Sequence, residues 1–367
     1  MSTPISGLLR LKRAALRGAF ALPFPVQRML AGRTVIVDDQ ELAVEAKLLL
    51  RFLRLDGRDE LWAGSVADSR AAIDESAQIV DGKPVPVERL ETAVPGPRGR
   101  LPARLYTPVA LAPGSGLMVF FHGGGWVIGN LRTHDALCAY LAHSAQVRVL
   151  SVDYRLAPEH PFPAAVDDAR ASYDHAVRVA ESLGADPEAV AVGGDSAGAN
   201  LAAVVAASPD RQPAFALLLY PRVDFSARRR SHDLFRSGYF LTARSIENFE
   251  KLYVDAEHES DPRASVLLTT DLARFPATYL STAGFDPLRD EGEAFAARLA
   301  DAGVPVVLSR QLDLIHGYAS LFALGGRFEQ ATAEAADALR TALALRQQTQ
   351  PEGTQPSPPR HTPPTPC

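Results

Sequence analysis

The chain has 367 residues, 47% of them apolar, with 38 Lys and Arg against 43 Asp and Glu for a formal net charge of -5. That length and apolar share suit one large α/β domain with an insertion, and the charge balance indicates no nucleic-acid partner. Two cysteines, no Cys/His cluster at metal spacing, no phosphate-cradling loop and no apolar run of about eighteen residues leave no metal, no nucleotide cofactor and no membrane span to expect; a reducing, cytoplasmic compartment is the simpler reading.

From Met1 to Arg33 there are six basic residues (Arg10, Lys12, Arg13, Arg17, Arg28, Arg33) and no acidic one, and Leu8, Leu9, Leu11, Leu16, Phe20 and Leu22 alternate with them. The charges interrupt any apolar core, which argues against a secretory signal. Two readings stay open: a cap helix closing over a site in the domain, or a basic amphipathic helix lying on an anionic membrane. Pro23 and Pro25 are expected to end the pattern.

Val85 to Thr92 and Arg100 to Tyr106 read as antiparallel first strands. Leu117 to Phe121 is a short apolar strand that ends in His122-Gly123-Gly124-Gly125-Trp126. Side chains in such a loop would block an incoming acyl group, whereas bare amides can donate to its oxygen. With Gly124 and Gly125 as donors, the run reads as half of an oxyanion hole. A helical pattern from Arg132 to Gln146 and a strand from Val147 to Val152 follow, then Asp153-Tyr154-Arg155-Leu156-Ala157-Pro158-Glu159-His160-Pro161-Phe162-Pro163-Ala164-Ala165. Arg155 and Glu159 are expected to pair and fix this loop. His122 and His160 belong to these motifs and read as structural.

After the helical pattern Ala164 to Leu183, the run from Val190 to Asn200 has the form of a nucleophile elbow. A β-branched strand leads into Gly194-Asp195-Ser196-Ala197-Gly198, and Ala199 to Ala207 reads as the next helix. The turn forces the serine into a strained conformation, and glycines two residues before and after it remove side chains that would collide. Ser196 Oγ is left exposed at a helix N-terminus whose dipole favours negative charge, and the Ala197 amide completes the oxyanion hole. Asp195 reads as a network residue. Further on, Ala277 to Ala283 and Val304 to Ser309 read as strands flanking the helical pattern Arg289 to Ala302. Asp286 falls on the loop after the first of them and His316 a few residues beyond the second.

His122-Gly123-Gly124-Gly125-Trp126, the Asp153 to Ala165 run, Gly194-Asp195-Ser196-Ala197-Gly198 and Asp286-Pro287-Leu288-Arg289-Asp290-Glu291-Gly292 together resemble the bacterial hormone-sensitive-lipase-like esterases of the α/β-hydrolase fold. The resemblance covers about residues 85 to 345. It implies Ser196 as nucleophile, Asp286 as orienting acid and His316 as base, in the chain order Ser, Asp, His. Asp313 and Asp290 are the competing carboxylates; the loop after the preceding strand favours Asp286. The resemblance further implies an N-terminal cap, which favours that reading of residues 1 to 33, and short to medium acyl chains.

The expected architecture is therefore α/β: a mainly parallel, doubly wound sheet with a helical cap. Residues 1–80 and 222–266 break the strand and helix rhythm and are expected to form the cap. Residues 81–221 and 267–346 form the hydrolase core, and 347–367, with seven prolines among Gln, Thr and Ser, form a disordered tail. The expected activity is carboxylic ester hydrolysis through a serine acyl-enzyme, without cofactor or metal, on a small-molecule ester. An amide or N-acyl hydrolase would use the same triad. Plant gibberellin receptors use this fold to bind rather than cleave, but lose the histidine that His316 supplies here. Peripheral membrane contact through the N-terminus and a homodimer are left open.

Overall fold

The computed structural model describes residues 6–82, 84–208 and 212–348. The helices α1 Gly7–Phe20, α2 Phe24–Ala31, α3 Val44–Leu55 and α4 Val66–Val80 come first, with a two-residue hairpin (β1 Ile36–Val37, β2 Gln40–Glu41) between α2 and α3. The core begins with β3 Val87–Gly96, β4 Gly99–Pro108, β5 Ser115–Phe121, α5 Asp135–Ala145, β6 Arg148–Val152 and α6 Ala164–Val179. It continues through β7 Ala185–Asp195, α7 Ala197–Ala206 and β8 Ala216–Leu219. Helices α8 Arg230–Leu234 and α9 Ala243–Tyr253 interrupt it before β9 Thr278–Phe285, α10 Arg289–Asp301, β10 Val306–Ile315 and α11 Gly326–Gln348.

Among the described residues, eight strands form one sheet in the order β10-β9-β8-β7-β5-β6-β4-β3. All neighbours are parallel except that β4 runs against β3 and β6. The period of two along a strand sends alternate residues of β5 to opposite faces. Leu117, Val119 and Phe121 join the layer of α6 and α7, and Met118 and Phe120 join that of α5 and α11. Burial on both faces is why the central strands read as unbroken apolar runs. No helix of the described residues is long and apolar enough to cross a membrane.

The N-terminal helices build outward in two layers. Helices α3 and α4 face a cavity above the sheet, supplying Leu49, Leu53, Ile73 and Ala77 to its wall. Helix α1 packs on α4 and α3, and α2 packs on α3, so neither contributes to that wall. Within the stretch 1 to 33, favoured as a cap, α1 and α2 back the inner helices rather than close over the cavity; residues 1–5 lie outside the described residues. Pro23 and Pro25 do end α1, but they also open a second helix, with Pro23 as its N-cap and Pro25 in its first turn.

The loop ion pair is also differently made. Arg155 pairs with Asp168 of α6, its Nη2 lying 2.7 Å from Oδ1 and its Nε 2.9 Å from Oδ2. Glu159 instead receives Arg70 of α4 in a two-pronged pair at 2.8 and 2.7 Å, which draws its carboxyl down to about 2. Arg70 also donates to the Val127 and Ala157 carbonyls at 2.9 and 3.0 Å. The motif therefore fixes its own loop through a helix 13 residues on, and holds the N-terminal helices through a residue 89 positions back. Helix α11 reaches Gln348, two positions into the stretch expected as tail; the remainder, from 349, lies outside the described residues.

Asp168 is fully buried, so removing it leaves the Arg155 guanidinium and the Arg155 amide without their partner. Asp168→Ala should lower unfolding stability by about 3 kcal/mol in urea titration; a loss below about 1 kcal/mol, the range of a surface pair, would contradict this role.

Candidate active site

Ser196 is the N-cap of α7, with φ 54° and ψ -116°. A side-chain-bearing residue rarely takes a positive φ, so the surroundings must hold it there. They do so by close approach: a Cβ on Gly198 would overlap the Phe121 carbonyl of β5, and one on Gly194 would overlap the Gly198 backbone. The Ser196 amide donates to the Leu219 carbonyl of β8 at 2.9 Å. The elbow is thereby clamped between the two strands that flank β7.

The hydroxyl meets an imidazole. His316 Nε2 lies 2.9 Å from Ser196 Oγ, and His316 Nδ1 lies 2.7 Å from Asp286 Oδ2. In the tautomer that satisfies both contacts, Nδ1–H donates to the carboxylate and Nε2 accepts from the hydroxyl. Asp286 is fully buried, and its other oxygen accepts the Leu288 amide at 2.8 Å. The Tyr220 ring stands edge-on to the imidazole, with centroids 4.8 Å apart. The strands leading to Asp286 and His316 are one longer than read at its end and one much longer: β9 runs to Phe285, and β10 runs to Ile315 past an irregularity between Gln311 and Ile315. Both residues consequently leave strand ends directly. The competing carboxylates are engaged elsewhere. Asp313 accepts from Arg327 Nε and Nη2 at 2.7 and 2.9 Å, and Asp290 accepts from the Ser231 amide and Arg289 Nε, each at 2.8 Å.

Facing Ser196, the glycine loop carries φ 118° at Gly124 and 59° at Gly125. A Cβ on Gly125 would collide with the Phe249 ring of α9. Among the described residues, the amides of Gly124, Gly125 and Ala197 donate to no protein group. Gly123 is different, for its amide donates to Asp195 Oδ1 at 2.8 Å. Asp195 also meets His134 Nε2 at 3.2 Å. Burial works against the Asp195 charge, but His134, the Gly123 amide and His122 outweigh it and hold the pKa below the usual carboxylate range. His122 is sealed in and stacked on the Tyr154 ring at 4.4 Å, with Nδ1 2.7 Å from the Gly123 carbonyl. Burial, reinforced by nearby His134, pushes its imidazole down to about 3, so it stays neutral and serves the loop. One network thus joins the residue before Ser196 to the glycine loop opposite it.

These groups open into a cavity of about 860 Å³. Its apolar walls come from α3 and α4 on one side and from Phe240, Leu241, Ile246 and Phe249 on the other. Tyr239, next to them in sequence, packs against Phe235 and Phe285. One wall was not anticipated. Arg222, fully buried, pairs with Glu250 of α9 and Glu291 of α10, and burial raises the Glu291 carboxyl to about 7 despite Arg222 and the Val223 amide. The signal was an arginine directly after the Tyr220-Pro221 strand end, where α/β folds place chemistry.

The α/β hydrolase fold family matches residues 118–320 of this chain. A carboxylic ester hydrolase of Mycobacterium tuberculosis, LipN, is 43% identical over 339 residues, 88% of this chain and 89% of that protein. An ethyl acetate hydrolase of Pseudomonas putida is 37% identical over 252 residues, 66% of this chain and 79% of that one. Among solved structures, an ester hydrolase from the metagenome of Lake Arreo superposes with a TM-score of 0.79 at 38% identity, covering 83% of this chain and 99% of that chain.

Proposed function

The chain belongs to the hormone-sensitive-lipase-like esterases of the α/β-hydrolase fold, and on that premise we propose that it hydrolyses small carboxylic esters through an acyl-enzyme on Ser196. It is a carboxylic ester hydrolase by its relatives; the residue roles and the acyl range are our own reading. The observation that carries it is the unbroken contact from Asp286 to His316 to Ser196.

His316 Nε2 takes the hydroxyl proton as Ser196 Oγ attacks the ester carbonyl carbon, and the carbonyl oxygen becomes an oxyanion. The amides of Gly124, Gly125 and Ala197 donate hydrogen bonds to this oxygen, aided by the N-terminal end of α7. His316 then gives its proton to the leaving alkoxide, the C–O bond breaks, and the acyl group remains on Ser196. A water attacks next, His316 again taking and returning the proton, to release acid and free serine. Asp286 holds the imidazole in the required tautomer and stabilises the imidazolium. Within a helical cap of residues 1–80 and 222–266 over the core residues 81–221 and 267–346, α3, α4 and the stretch from Phe240 to Phe249 would supply the apolar walls that receive the acyl chain.

Ser196→Ala should reduce ester turnover on the order of 10⁴-fold while leaving the unfolding transition in place; retention of a tenth of the rate would remove Ser196 from the mechanism. Asp286→Asn should cost on the order of 10³-fold or more, while Asp313→Asn leaves the rate within about threefold, since it disturbs only the surface pair with Arg327. Steady-state kinetics of both variants decide this, and a larger loss at Asp313 would overturn the assignment.

The cavity lies within the usual range for small-molecule sites, about 300–1,000 Å³, which supports short to medium acyl chains. In a nitrophenyl ester series kcat/KM should be highest for chains of about two to eight carbons and should fall for palmitate, with the matching anilide far slower. A maximum at palmitate would assign a long-chain lipase, and an anilide faster than its ester an amidase.

A further inference from the structure

The outer surface of α1 and α2 is not used by the fold or by the site. The inward face of α1 is fully accounted for: Leu9 and Leu16 are buried, Lys12 pairs with Asp56, and Arg13 and Arg17 donate to the Asp81 carbonyl at the end of α4. What remains outside is apolar. Leu8, Leu11, Phe24 and Met29 are 65, 66, 56 and 71% exposed, and Leu22 and Leu30 are also exposed. Of the fourteen exposed large hydrophobic residues among the described ones, eight fall between Leu8 and Leu55. Scattered single exposures need no explanation, but a cluster rimmed by charge does.

The rim is basic. Arg10, Arg28 and Arg33 are exposed and have no carboxylate in ion-pair distance among the described residues. No acidic residue precedes Asp38 in the sequence. We propose that this face docks the enzyme on an anionic phospholipid surface, the leucines, Phe24 and Met29 entering the interface while the arginines meet the headgroups. A second copy of the chain suits the face poorly. An isologous contact sets the same patch against itself and would oppose unpaired arginines with no carboxylate between them.

The surface is preformed. Ser6 caps α1 through the Leu9 amide, and Gln27 Nε2 donates to the Phe20 and Leu22 carbonyls at 2.9 and 2.8 Å, fixing the corner between the helices. Arg51 of α3 donates to the Leu30 carbonyl at 3.0 Å. Docking therefore requires no coupled folding, and the ordering cost is already met in the free protein. The attachment also has a direction. Arg13 donates to the Gln78 and Asp81 carbonyls, and both residues line the cavity, so α1 stands against the cavity wall.

Two full-length variants test this by co-sedimentation with vesicles of phosphatidylcholine containing one third phosphatidylglycerol, and with phosphatidylcholine alone. Leu8→Ser, Leu11→Ser, Phe24→Ser and Met29→Ser together remove the apolar term; Arg10→Gln, Arg28→Gln and Arg33→Gln together remove the charge. The wild-type chain should partition onto the anionic vesicles at least about tenfold better than onto neutral ones at low salt and lose this preference at high salt. Each variant should lose about tenfold of the partition yet keep the wild-type rate on a water-soluble short-chain ester, which separates this claim from the catalytic one. Equal binding to both vesicle types, or anionic binding that survives in both variants, overturns the proposal. So does a concentration-dependent dimer, read by sedimentation equilibrium, that the serine variant abolishes, since the face would then belong to a second copy.

Discussion

The whole site depends on one steric constraint, the contact of α7 with β5 at Gly198 and Phe121. The start of α7 can sit this close to the strand backbones only where no Cβ stands between them, and Gly198, over the Phe121 carbonyl of β5, and Gly194, under Gly198 from β7, meet that condition. The consequence is a serine held at φ 54°, a strain on the order of 1–3 kcal/mol. Burial of every residue of α7, from Ala197 to Ala206, offsets it. In the proposed mechanism the same contact aims Ser196 Oγ, presents the Ala197 amide and points the positive end of α7 at the place where charge would develop.

The second half of the site is held to the first by buried polar groups rather than by apolar packing. Asp195 receives the Gly123 amide and His134, while His122 and Tyr154 support the same loop from behind, Tyr154 donating to the His122 carbonyl at 2.7 Å. Each member is buried, so losing any one leaves another unpaired at a cost of about 1–3 kcal/mol. The covering helices are attached in a like manner. Arg70 meets Glu159, Arg222 links α9 to α10, and Trp126 of the glycine loop stacks on Tyr253 of α9 with ring planes 1° apart. A wall of the cavity and the glycine loop are thereby joined by direct contacts.

The central sheet was legible because its strands are buried on both faces and leave apolar runs, and the elbow because strain and close approach require glycine at fixed offsets. The proposed triad order came from the resemblance those motifs carry. What the sequence did not disclose depends on contacts between distant positions. Arg70 and Glu159 are 89 residues apart, and Arg155 offers two plausible carboxylates, Glu159 nearby and Asp168 one helix on; only the packed fold chooses. The length of β10 was underread because it is an edge strand: its exposed Val307 and Leu308 are followed by the polar run Ser309-Arg310-Gln311, which blurs the apolar pattern before Leu312 to Ile315. The N-terminal helices were misleading for a related reason. A periodicity that fits a cap fits equally well a helix packed behind one, and only the unpartnered outer face separates the two.

The central claim is that the acyl group passes through Ser196. Rapid acid quench during turnover of a nitrophenyl butyrate, followed by proteolysis and mass spectrometry, reads it directly. The account predicts a butyryl mass increment on the peptide that contains Ser196, absent when substrate is withheld and formed at the rate of the nitrophenol burst. Butyryl on a different residue, or a burst with the Ser196 peptide unmodified, would contradict it.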